Sequence, residues 1–89
     1  MLFSTRAATA DLARTLAAAG TPTRAAGARA YMKSDLDFFG VTVPFIRRAA
    51  RAFVRRHPDL SRAQLLALVR ALFATSNFEQ RQLAAVLLE

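Results

Sequence analysis

The sequence predicts an all-α fold of about five short helices, packed as antiparallel pairs stacked side by side. Three observations predict it. Apolar residues recur at three- and four-residue intervals along nearly all of the 89-residue chain, the period that collects them on one face of a helix. Neither the alternating pattern of a half-buried strand nor the two-residue turn that joins hairpin strands occurs. Helix-start signals then divide the chain into pieces of about three turns with short connections, and such pieces pack most economically as antiparallel neighbours, the construction of helical-repeat proteins.

Taken in order, the first helix is expected from about Ser4 to Ala19, with Leu12 and Leu16 on one side and Gly20 as a left-handed stop. Thr21 and Pro22 are a cap and first-turn signal that opens a second helix running through Met32. Gly27 inside it costs about 1 kcal/mol relative to alanine, which reads as a point of close packing. Residues Ser34 to Val43 form a loop, and Pro44 is placed as the first residue of a third helix that ends before Pro58. Ser61 with Gln64 is a capping box for a fourth helix, whose apolar stripe is Leu65, Leu68, Val69, Leu72 and Phe73. Ser76 with Glu79 repeats that signature for a fifth, and Leu83, Val86 and Leu87 carry its stripe towards Glu89. This last helix stays apolar to its end, whereas a stacked array needs a polar outer face. The expectation is therefore a single helical domain over residues 1–89 that is the N-terminal part of a longer repeat protein, or one that associates with itself through this uncapped helix.

Composition narrows the function. A hydrophobic fraction of 54% against 21% charged residues argues against a disordered chain. With no cysteine and one histidine, His57, disulfides, thiolate metal sites and imidazole clusters are excluded, so neither metal nor cofactor is expected and a reducing, cytoplasmic location is the default. No run approaches the roughly 18 to 20 apolar residues of a spanning helix. The stretch MLFSTRAATADLARTLAAAG has the Arg, Ser/Thr and Ala content of an organellar presequence, but Asp11 and the Leu12/Leu16 stripe favour an ordinary helix. A net charge of +7 points to a polyanionic partner, nucleic acid before an anionic membrane.

That charge is most concentrated in the third helix. Arg47, Arg48, Arg51 and Arg55 fall within an arc of roughly 100°, while Ile46, Ala50, Phe53 and Val54 are assigned to the opposite, core side. No acidic residue lies between Val43 and Pro58 to pair with them along the helix. A solvated face is the plain interpretation. Four like charges crowded together also repel one another, a cost that a phosphate backbone relieves as counterions are released, and the guanidinium fork suits phosphate oxygens. Contacts of that kind position a protein without reading bases.

Tyr31, Phe38, Phe39 and Phe45 bracket the preceding loop. The phenylalanines read as packing residues and Gly40 as the turn into Val41. The hydroxyl of Tyr31 needs water or a partner, so its ring belongs either at the rim of the core or against a ligand. Asp35 and Asp37 lack a third acid or a histidine and are taken as loop and capping residues. No Ser-His-Asp set, glycine-rich phosphate loop or metal-ligand spacing is present.

The stretch YMKSDLDFFGVTVPFIRR resembles the N-terminal signature of the DNA alkylation repair (AlkD-like) DNA glycosylases, on Tyr31, Met32, Phe39, Gly40, Val41, Pro44 and Arg47. FEQRQLAAVLLE, with Glu79 and Arg81, is similar to a later helix of that family. The resemblance covers about Ala28 to Glu89. It implies a right-handed stack of HEAT-like repeats, an α-α superhelix whose basic concave face cradles double-stranded DNA, and hydrolysis of the N-glycosidic bond of N3- and N7-alkylated purines. It assigns Tyr31 to the lesion-facing cleft and Arg47 to the DNA backbone, with Thr42 on the same surface. Arg48, Arg51 and Arg55 join these as expected DNA contacts through their shared helix face. Val43 stands where the family often has a hydroxyl, and Phe45 where an acid is common. The family's catalytic tryptophan, aspartate and arginine lie in later repeats, and this chain has no tryptophan. By that resemblance, glycosylase activity is not expected of these 89 residues alone. The alternative is a non-catalytic helical-repeat scaffold that binds protein.

Overall fold

The computed structural model describes residues 3–89 as five helices: α1 (Thr5–Ala19), α2 (Pro22–Met32), α3 (Val43–Arg56), α4 (Arg62–Phe73) and α5 (Phe78–Leu87). Among the described residues there is no strand, and the arrangement is that expected of a helical repeat. Each helix starts on a side-chain oxygen that accepts from an otherwise orphaned backbone N–H: Ser4 from Ala7, Thr21 from Arg24, Thr42 from Phe45, Ser61 from Gln64 and Asn77 from Gln80. At α4 the capping box is complete, with the Gln64 side chain accepting from the Ser61 N–H at 2.9 Å.

Four helices share one core. α1 packs on α4, α3 on α5, α4 lies beside α5, and α1 also touches α3 and α5. Leu12, Leu16, Ile46, Phe53, Leu68, Leu72 and Leu83 are all but inaccessible at its centre, each contributing about 1.5–3 kcal/mol by leaving water. Two residues assigned to the core stripes lie outside it. Val54 is 53% exposed, and Phe73 at the end of α4 is also open to solvent. Both keep the helical period but sit at the edge of the arc, past the reach of the neighbouring helix.

α2 departs from the pairing. It comes close to no other helix and has no buried residue. It is tied instead to the loop before α3, where the carbonyl of Gly40 accepts from the Thr21 N–H at 3.2 Å and from Arg24 Nη1 at 3.4 Å.

Two glycines depart from their expected roles. Gly20 is not a left-handed stop: its backbone is extended, at φ −81° and ψ 160°. It is needed because the loop crosses there, and a Cβ would stand 1.9 Å from the Phe39 carbonyl oxygen. The left-handed residue that ends α2 is Lys33. Gly27 is not a point of close packing either, since a Cβ there would meet nothing within 4 Å. Gly27→Ala is therefore expected to stabilise the protein by about 0.5–1 kcal/mol through α2 propensity alone, read as a higher urea midpoint with an unchanged slope. Gly40, in contrast, has φ +80°, and a Cβ on it would lie 2.2 Å from the Thr21 carbonyl oxygen and 2.5 Å from the Ala25 nitrogen.

Candidate nucleic-acid interface

The inward side of α3 consists of Ile46, Ala49, Ala50 and Phe53, all buried. At 3.6 residues per turn this orients Arg47, Arg48, Arg51 and Arg55 away from the core, and all four are exposed. Thr42 sets the start of the helix by accepting from the Phe45 N–H at 3.4 Å, so its structural duty is the cap. Pro44 follows one position into the helix rather than opening it.

The four arginines are not equivalent. Nη1 of Arg47 is 3.2 Å from Oε1 of Glu89, with both side chains about half exposed, a pair of the kind that contributes at most about 1 kcal/mol. The guanidinium of Arg48 lies over the ring of Phe45 at 5.8 Å from its centroid, so Phe45 holds the cation in place by its face. Among the described residues neither Arg48, Arg51 nor Arg55 has a carboxylate within 4.0 Å. The face expected from the helical wheel is present, with one member partly neutralised by Glu89, just past the end of α5.

Tyr31 stands apart from this face. It is 89% exposed, which places it beyond the core rim, and α2 does not approach α3. Its ring is free to meet a ligand, but the fold does not draw it together with the arginines.

The loop between them is held by a residue whose role sequence reasoning missed. Glu79 does not cap α5, which starts on Asn77. Its carboxylate turns inward, 2% exposed. Oε1 accepts from the Phe39 N–H at 2.8 Å, and Oε2 accepts from Gly40 and Val41 at 3.0 and 3.1 Å. The signal was present in the spacing: Glu79 precedes Leu83 and Leu87 by four and eight residues and so shares their buried face. Beside it, the Asp37 N–H donates to Ser76 and its carbonyl accepts from Phe78, each at 2.8 Å, while the Phe38 and Phe78 rings stack at 4.9 Å. Asp37 thus works through its backbone. Among the described residues no group of three potential metal ligands occurs, and no helix is long and apolar enough to cross a membrane.

The result is a cationic helix face on a packed scaffold, preceded by a loop clamped to α5. No curated protein and no solved structure matches the chain. A family model described as DNA alkylation repair enzyme does match it, over residues 12–89. That span runs from the first core leucine of α1 through the clamped loop and the arginine helix to the end of the chain, and on this match the chain belongs to the DNA alkylation repair enzyme family.

Proposed function

We propose that this chain supplies part of the DNA cradle of an alkylation repair protein, with α3 holding the phosphate backbone of a duplex in a HEAT-like stack. One observation carries the reading: Arg48, Arg51 and Arg55 are exposed, unpaired with carboxylate among the described residues, and backed by a buried helix face that fixes their spacing. Arg47 joins them by exchanging Glu89 for a phosphate, a weak bond to give up. Thr42 and Tyr31 extend the contact surface towards the loop and α2. Lesion chemistry, the excision of N3- and N7-alkylated purines by N-glycosidic hydrolysis, belongs to the wider family reading and draws on residues outside this set. The role proposed here is binding without bond cleavage.

Duplex binding should then depend steeply on salt. Each phosphate neutralised contributes about 0.9 to the slope of log affinity against log salt. Changing Arg48, Arg51 and Arg55 together to glutamine is expected to lower that slope by about 2 to 3 and to weaken binding more than tenfold at about 0.1 M salt. The three side chains are exposed, so the fold and the urea midpoint should hold. Unchanged affinity and slope in a folded triple variant would overturn the reading. The scaffold alternative finds one supporting feature, an apolar groove beside this face.

A further inference from the structure

Between α3 and α5 runs a groove of about 320 Å³ lined by Ala50, Val54, Val86 and Leu87, with Arg51 and Arg55 along one rim and Glu89 at the other. Its floor is apolar and partly open, with Val54 and the adjoining Leu88 each 53% exposed. A phosphodiester strand can satisfy the arginines but leaves that floor wet. A helix laid between two others fills such a channel with one ridge of side chains.

The rim selects which helix. Glu89 is already engaged by Arg47 at 3.2 Å, whereas Arg51 and Arg55, one turn apart, have no carboxylate within reach among the described residues. A second copy of this chain, at a net charge of +7, would bring cations against cations. An acidic helix would bring their complement.

We propose that the α3/α5 groove is a docking site for an amphipathic helix of another polypeptide, one whose apolar ridge is flanked by glutamates spaced to meet Arg51 and Arg55. Because the same two arginines belong to the phosphate face, the helix and a duplex exclude one another. The groove's own evidence is its apolar floor, which the DNA reading does not use.

The test uses the full chain and three amidated 18-residue helical peptides with the same leucine ridge, flanked by glutamate, by glutamine or by lysine. Fluorescence anisotropy is expected to show saturable binding of the glutamate peptide, at least fivefold weaker for the glutamine peptide and absent for the lysine peptide. Val54→Gln should weaken the glutamate peptide about tenfold by removing one apolar contact. Since Val54 is exposed and neutral, that variant should keep wild-type stability and duplex affinity, so loss of the peptide is separable from failure of the DNA reading. Binding equally tight for all three peptides, or indifferent to Val54→Gln, overturns the proposal. No binding of any peptide, or a dimer in light scattering that Val54→Gln dissolves, overturns it as well.

Discussion

Glu79→Ala is expected to be among the most damaging single substitutions in the protein, lowering stability by about 3 to 5 kcal/mol. Three backbone donors lose their acceptor at once, and each buried donor left unpaired costs about 1–3 kcal/mol. Gly40 N–H is buried and cannot recover a partner from solvent, while those of Phe39 and Val41 are partly covered and recover one incompletely. A domain of this length has a total stability of only about 4 to 13 kcal/mol, so the loss removes a substantial part of it. Glu79→Gln separates the contribution of the acceptors from that of side-chain volume. One amide oxygen can still serve Gly40 and Val41, but the amide NH2 then faces the Phe39 N–H, donor against donor, and an intermediate loss is expected. Urea titration followed by circular dichroism measures both. A Glu79→Ala midpoint equal to wild type would mean that the clamp contributes nothing.

Gly40→Ala is expected to act differently, by releasing α2 while leaving the rest folded. A left-handed backbone costs alanine about 1–2 kcal/mol, and the new methyl would overlap two backbone atoms, the Thr21 oxygen and the Ala25 nitrogen, which have no rotamer by which to move aside. The remedy open to the chain is to detach α2. That forfeits two hydrogen bonds to the Gly40 carbonyl and the light burial of Ala25 and Ala28, so the cost is capped by what α2 contributes. Limited trypsin digestion should therefore cut after Arg24, Arg29 or Lys33 at least about tenfold faster than in wild type, because cleavage follows the population of the open form. The core of α1, α3, α4 and α5 should resist. Cutting at the wild-type rate, or a global collapse with cuts throughout, would contradict the description of α2 as a helix held at one point.

What was legible in the sequence was what is local. Ser61 and Gln64 cap α4 as their spacing announces, Leu12 and Leu16 enter the core together, and the arginines of α3 share a face because four residues of another kind share the opposite one. The contacts that went unread join segments far apart in the chain. Gly20 is small because Phe39 crosses it, and nothing within several residues of Gly20 reports that crossing. Glu79 mimics a capping residue at the right distance from Ser76, and only its place on the buried face of α5 betrays a different employment. Val54 and Phe73 obey the helical period yet stay wet, since period identifies a stripe but not how far the neighbouring helix covers it. The candidate interface was similarly legible in part: the arginines were, whereas the Glu89 partner of Arg47 and the separation of Tyr31 from α3 depend on tertiary placement.

The clamp also dictates an order of events. The donors of Phe39, Gly40 and Val41 wait for a carboxylate 38 to 40 residues downstream, so on the ribosome the stretch that anchors α2 stays unsettled until Glu79 has emerged. Long-range closure of this kind is slow compared with coiling a helix. The N-terminal half should thus reach its native arrangement late, and a nascent chain halted before residue 79 would display α2 as an untethered, protease-sensitive arm.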